Sequence, residues 1–299
     1  MPTPLRAREY PGRASRGSMP TAGNESAIAS RVAIATPAEN GSPVSTMKIA
    51  IHDDREALGQ AAAQIAAEGL RAACEREGAA SLVVATGSSQ FEVLAALRAA
   101  PAIPWNRVTI FHLDEYVGLD AGHPASFRRF LHDRFIDLLP TVPAAFHELD
   151  GMAVDPAAEC ARLAALVPDA DFDVSLIGIG ENAHLAFNDP PADFTSEEPY
   201  RIVALDDRCR QQQVGEGWFP TLAAVPTHAI SMSVRRILAS RLIVCSVPDR
   251  RKAEAVQAAV EGSITPAVPA SILQTHPRCH LLLDRDSASL LWSRGTTPA

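Results

Sequence analysis

The stretch Phe172–Pro190, FDVSLIGIGENAHLAFNDP, decides how this chain is read. It opens with an apolar run, Val174 to Ile177, set between Asp173 and the glycines Gly178 and Gly180. A short apolar run closed by glycines is the pattern of a buried strand that runs into a tight loop. Glu181, Asn182, His184, Asn188 and Asp189 follow at once. Polar, titratable groups crowded at the carboxyl end of a buried strand stand where open α/β sheets gather their ligands. The same residues also suit a plain loop, with His184 as a cap and Asp189 opening a turn ahead of Pro190 and Pro191.

Outward from this stretch, strands and helices alternate. Lys48–His52 (KIAIH) reads as a strand, followed by an alanine-rich amphipathic helix that Asp53 or Asp54 can cap and that ends near Gly78. Ser81–Ala85 (SLVVA) is a second buried strand, Thr86 to Ser89 a turn, and Phe91–Ala100 a helix. Val108–Leu113 is a third strand, with helices expected over Ser126–Leu138 and Asp155–Leu166. Beyond the opening stretch lies a polar region, Ser196–Gly217, to which the pattern assigns no element. Leu242–Ser246 is a strand, Arg251–Gly262 a helix, Ser271–His276 a short helical piece and His280–Leu283 a last strand. This alternation predicts an α/β fold: a doubly wound, mainly parallel sheet flanked by helices, Rossmann-like in outline.

The first 46 residues stand apart, rich in Pro, Gly, Ser, Ala and Arg and without a sustained apolar period. That composition predicts a disordered extension, or a start set too early, and places a single catalytic α/β domain over residues 47–299. The formal net charge is −8, with no basic cluster beyond the arginines near Arg128 and Arg250, which speaks against nucleic acid as a partner. No apolar run is long enough to span a membrane. The five cysteines are scattered and never spaced as CxxC, as expected of reduced thiols in a cytoplasmic protein.

Thr86-Gly87-Ser88-Ser89 lies between a strand and a helix, where glycine admits an anion close to the backbone and hydroxyls donate to it. Neither GxGxxG nor GxxxxGK[ST] occurs, so a single phosphate ester is expected rather than a nucleotide; an ordinary capped turn is the alternative. His112 and Asp114, two residues apart at a strand end, are expected on one face, and a carboxylate there can serve as a base. A metal held by His112, Asp114 and His123 is the weaker reading, so no metal and no cofactor are assigned. Glu115 reads as a satisfied structural carboxylate. Lys252, at the start of a helix where a cation opposes the helix dipole, is aimed at an anion or else is simply solvated.

Four stretches, ATGSSQFEVLAAL, FHLDEYVGL with HPASFRRFL after it, GIGENAHLAFNDP and RKAEAVQAAVEG, resemble the glucosamine-6-phosphate deaminase (isomerase) family, in the superfamily shared with 6-phosphogluconolactonase. The resemblance runs from about Met47 to Leu290. It implies conversion of glucosamine 6-phosphate to fructose 6-phosphate and ammonium, with a small amino-sugar phosphate as the partner and room for a homo-oligomer. It implies Asp114 as the base between C2 and C1, and His184 as the residue assisting ring opening. Asp189 stands in place of a glutamate that orients the histidine, and Asn182 in place of an aspartate. Thr86, Gly87, Ser88, Ser89 and Lys252 match the phosphate-binding residues. A phosphate-closing arginine has no counterpart in register; its region reads CRQQQVGEGWF, with Arg208 and Arg210 nearby. No allosteric site is expected. A sugar-phosphate lactonase and a catalytically silent sugar-phosphate-binding protein are the alternatives.

Overall fold

The computed structural model of the chain describes residues 31–33 and 47–292. In chain order the elements are β1 (Arg31–Ala33), β2 (Lys48–His52), α1 (Arg55–Glu77), β3 (Ala80–Val84), α2 (Phe91–Ala99), β4 (Val108–His112) and β5 (Asp114–Tyr116). Next come α3 (Phe127–Arg134), β6 (Ala145–His147), α4 (Pro156–Ala164), β7 (Val174–Ile177), β8 (Tyr200–Ala204) and α5 (Asp207–Gly215). The remainder is β9 (His228–Met232), α6 (Val234–Leu238), β10 (Ile243–Val247), α7 (Ala253–Glu261) and β11 (Cys279–Asp284).

The main sheet has the order β1-β2-β11-β10-β7-β3-β4-β6, and every pair is parallel except β1 with β2. Its central strands alternate strictly between two apolar layers. Leu82, Val84, Ile110, Leu176 and Val244 face one layer; Val83, Phe111, Ile177 and Cys245 face the other. Both faces are therefore covered, which is why these strands read as continuous apolar runs. The first layer is closed by α1, whose buried Leu58, Ala62, Ala66, Leu70 and Ala73 recur at three- and four-residue intervals. Ala255, Val256 and Ala259 of α7 close the second. Truncating a fully buried strand residue such as Leu176 to alanine is expected to cost about 2–5 kcal/mol.

Strand order fixes where ligands can bind. After β3 the chain moves outward through β4 to β6; it then returns to β7 beside β3 and proceeds the other way through β10 and β11. The connections leaving β3 and β7 diverge, so a crevice opens at their carboxyl ends. The four strands β10, β7, β3 and β4 are contiguous across it.

Two expectations change. The polar region Ser196–Gly217 contains β8 and α5, and β8 joins β9 and β5 in a separate antiparallel sheet of order β5-β9-β8. After Tyr200 every residue of β8 is half-buried or exposed, Ile202 among them, so its short apolar stretch Ile202–Ala204 sits at a surface and does not mark a strand buried on both faces. His112 and Asp114 do not share a strand face: His112 ends β4 in the main sheet and Asp114 opens β5 in the small one. Changing sheets at Leu113 breaks the two-residue period on which that expectation rested. Of the N-terminal extension only β1 is described; the predicted disorder of the rest of residues 1–46 lies outside the described residues. Among the described residues no helix is long and apolar enough to cross a membrane.

Candidate active site

The crevice at the switch point is a cleft of ≈ 590 Å³, counted to its open mouth. Thr86, Gly87, Ser88, Ser89, Asp114, His184 and Lys252 all line it. Residues separated by up to 166 positions in the chain thus meet because their strands are neighbours in the sheet.

The turn Thr86–Ser89 follows β3. Gly87 has φ 90°, ψ 175°, a conformation that only glycine adopts freely, and Ser88–Gln90 form a helical turn leading into α2. Arg55 braces the turn from behind: its guanidinium donates to the Ser88 carbonyl at 2.6 Å and is paired with Glu92 at 2.8 Å. Across the cleft, Lys252 follows β10 in the turn Arg250–Lys252 that opens α7. Its side chain is only 7 % exposed, and burial pulls its pKa below the ordinary lysine range.

Asp114 forms part of the cleft wall as the chain leaves β4. It is 5 % exposed, and its Oδ1 has no hydrogen-bond partner. Burial, with the neighbouring Glu115 second, pushes its pKa up to about 8. Glu115 itself is buried but fully engaged at the start of α3, accepting from Ser126 Oγ at 2.9 Å and from the backbone N–H groups of Tyr116, Phe127 and Arg128 at 2.9, 3.2 and 2.7 Å. It caps the helix, as expected of a structural carboxylate. His112 does not line the cleft; its Nδ1 accepts from Leu149 N at 3.3 Å, and burial lowers its pKa to about 3. His123 stacks on Phe219 with ring centroids 5.5 Å apart. The three-residue ligand set considered from the sequence is therefore not assembled.

The loop after β7 presents His184. Ala183 and Ala186, on either side of the His184–Leu185 pair, hold left-handed φ values of 67° and 52°, an uncommon conformation for residues with a Cβ. A Cβ on Gly180 would lie 2.2 Å from His184 Nε2, so glycine is required for the imidazole to fold back over the loop. Asn188 pins the loop, donating to Leu185 O and Met232 O, both at 2.8 Å. Behind the ring, His184 Nδ1 meets Asp189 Oδ1 at 3.0 Å, so the aspartate is long enough to reach it. Asn182 Nδ2 donates to Asp189 Oδ1 and Asp206 Oδ2, both at 2.9 Å, and Asp189 Oδ2 accepts from Asp206 N at 2.9 Å. Burial would raise the Asp189 pKa, but the bonds from His184, Asn182 and Asp206 N outweigh it and hold it below the usual aspartate range. Asn182 and Asp189 stand behind the histidine and do not line the cleft.

His184, Asp189 and Cys209 each bring one potential metal ligand within 4.8 Å of the others. Burial and the nearby Asp189 and Asp206 carboxylates push the Cys209 thiol well above its ordinary range, away from the thiolate a metal would need. The cleft is completed by residues that sequence reasoning did not single out: Leu113, Phe127, Phe187, Gln212, Gln213 and Glu216. Gln212 and Gln213 lie on α5, and Glu216 at its end, so the missed strand-and-helix pair is what concealed them. A polar triplet such as Gln211-Gln212-Gln213 carries no sequence mark that separates a site wall from a solvated helix face.

A profile for glucosamine-6-phosphate isomerases/6-phosphogluconolactonase matches residues 53–281. Glucosamine-6-phosphate deaminase of Pseudarthrobacter chlorophenolicus is 37% identical over 232 residues, covering 76% of this chain and 88% of its own length. Glucosamine-6-phosphate deaminase 1 of Bacillus subtilis is 34% identical over 248 residues, 82% of this chain and 99% of its own. Among solved structures, a monomeric glucosamine-6-phosphate deaminase superposes with a TM-score of 0.74 at 33% identity, covering 81% of this chain and 99% of that one.

Proposed function

The chain belongs to the family of glucosamine-6-phosphate isomerases and 6-phosphogluconolactonases, and on that premise we propose that it is a deaminating aldose–ketose isomerase. The substrate is glucosamine 6-phosphate, and the products, after addition of water, are fructose 6-phosphate and ammonium. The observation that carries this reading is Asp114: a buried carboxylate with an unpartnered oxygen, in the same cleft as His184, Lys252 and the Thr86–Ser89 turn. A base that has no hydrogen-bond donor to give up can take a carbon-bound proton, and burial strengthens it.

In this reading the phosphate seats against Thr86–Ser89 and Lys252. His184, positioned by Asp189 and Asn182, moves the proton between the ring oxygen and O1 as the pyranose opens. Asp114 then removes the C2 proton of the open-chain aldehyde and returns it at C1. The enolamine formed between these steps becomes a ketimine, and water hydrolyses it to the ketone with release of ammonia. No cofactor is needed, because the substrate's own carbonyl accepts the electron pair. All the groups invoked lie within one chain, and the free cysteines Cys74, Cys160, Cys209, Cys245 and Cys279 fit a reducing, cytoplasmic setting.

Incubation with glucosamine 6-phosphate, following ammonia and fructose 6-phosphate together, tests the proposal. Stoichiometric formation of both, lost in Asp114→Asn, is the expected result. No turnover above the Asp114→Asn control overturns it. Hydrolysis of 6-phosphogluconolactone that survives in Asp114→Asn would point to lactonase chemistry, which requires no enolising base.

A further inference from the structure

The phosphate cradle is already holding an anion. Glu216 lies at the end of α5, and its side chain is 6 % exposed, inside the cleft. Its Oε2 accepts from Ser88 Oγ at 3.3 Å and its Oε1 faces Lys252 Nζ at 3.9 Å. These are two of the groups that the proposed function gives to the sugar phosphate. The carboxylate is held there by Gln212 Nε2 at 2.8 Å and Trp218 Nε1 at 3.3 Å. Gly215 and Gly217 flank it, the latter at φ 82°. The arginines of the same region turn elsewhere: Arg210 donates to the carbonyls of Leu222 and Val225, and Arg208 is exposed. The segment that could have supplied a cation to the cradle supplies a carboxylate instead.

We propose that Glu216 is a specificity-determining residue: its carboxylate competes with the substrate's phosphate for Ser88 and Lys252, and must leave the cradle before a sugar phosphate can bind. The inference rests on the reading of Thr86–Ser89 and Lys252 as the phosphate site. A carboxylate and a phosphate cannot share the same hydroxyl and ammonium without facing each other at close range, where like charges repel strongly. The cradle therefore binds phosphate esters more weakly than its hydroxyls and lysine alone would. It discriminates less between a phosphorylated amino sugar and its unphosphorylated counterpart.

Glu216→Gln removes the charge while keeping the shape, and Glu216→Ala guards against a glutamine that retains the contacts. The dissociation constant of inorganic phosphate, measured by calorimetry on each full-length protein, is read beside KM for glucosamine 6-phosphate. Removing a like charge from the cradle should tighten both by roughly tenfold in Glu216→Gln, and Lys252→Ala added to Glu216→Gln should reverse the gain. KM for unphosphorylated glucosamine, if it is turned over, should not fall. Unchanged or weaker phosphate binding in both Glu216 variants overturns the inference, as does failure of Glu216→Gln to bind phosphate at all. The phosphate arm does not depend on turnover, so a protein that binds phosphate more tightly without its glutamate yet releases no ammonia refutes the proposed reaction and leaves Glu216 in its assigned role.

Discussion

The wall of the cleft at the end of β4 and the loop behind His184 each bury one aspartate. Asp114 is 5 % exposed with an oxygen that nothing touches; the Asp189 side chain is 8 % exposed and accepts from an imidazole, an amide and a backbone N–H. Asp114 is the more deeply buried, but desolvation acts upward on both, and the net shifts are opposite: up to about 8 for Asp114 and downward for Asp189. The supply of donors reverses the sign at Asp189, because desolvation disfavours a carboxylate only as far as hydrogen bonds fail to replace the lost water. An unsatisfied carboxylate is a base available for chemistry; a satisfied one is a fixture that positions its neighbour. Two carboxylates of one site can in this way take different roles.

The sharpest break of the contrast is Asp114→Asn. Turnover of glucosamine 6-phosphate should fall by about 10³-fold or more, the scale of losing a positioned general base. The same change should stabilise the fold. A carboxyl whose folded pKa is raised contributes stability that is complete below its unfolded value near 3.8 and is lost as pH rises through about 8. Melting curves of wild type and Asp114→Asn should therefore nearly coincide at pH 4 and separate by several degrees at pH 9, roughly 2–4 °C for each kcal/mol of difference. Equal melting temperatures at both pH values would remove the strained base from the account.

In the wild type, kcat/KM should rise with pH through about 8, since the free enzyme must ionise Asp114 before it can accept a proton. A profile flat from pH 6 to 9 would contradict this.

Asp189→Asn tests the other side of the comparison. It leaves the His184 ring without its anionic partner, and activity should drop about 10- to 100-fold. Its effect on stability has the reverse sign. A carboxyl with a depressed folded pKa stabilises above its unfolded value and loses that contribution as pH falls through the folded one. Asp189→Asn should therefore destabilise at pH 7 and converge on wild type in strong acid. Convergence at pH 9 instead would show that the two aspartates are not opposites.

The smallest expected effect belongs to Asn182→Asp. It removes the amide that donates to both Asp189 and Asp206 and puts a third carboxylate between them. A loss of about 1–3 kcal/mol is expected from the broken hydrogen bonds and the repulsion, measured by urea unfolding. An unchanged midpoint would mean that the amide is not what reconciles the two acids. The expected penalty comes from Asp206, whose carboxylate already stands 2.9 Å from the position the new aspartate would fill.

Much of this was legible from residues alone. The apolar runs at Ser81–Ala85, Val108–Leu113, Val174–Ile177 and Leu242–Ser246 mark central strands because both of their faces are buried, and glycine or small polar residues close most of them. β8 and α5 were not legible, since a half-exposed strand and a short helix with polar cleft-lining residues carry no such mark. The expected His112–Asp114 pair failed for a related reason: periodicity holds within a strand, and the chain changes sheets at Leu113.

The sequence by itself determined the doubly wound sheet and the chemical types at its carboxyl ends: hydroxyls and glycine after β3, an aspartate after β4, a histidine loop after β7, a lysine after β10. Local period and composition suffice for that, because each is a property of a few adjacent residues. Only the tertiary structure decided which polar groups are satisfied. It left Asp114 without donors, gave Asp189 three, and set Glu216 between Ser88 and Lys252. Charge state and ligand preference depend on what stands within a few ångströms in space, and those neighbours come from segments far apart in the chain.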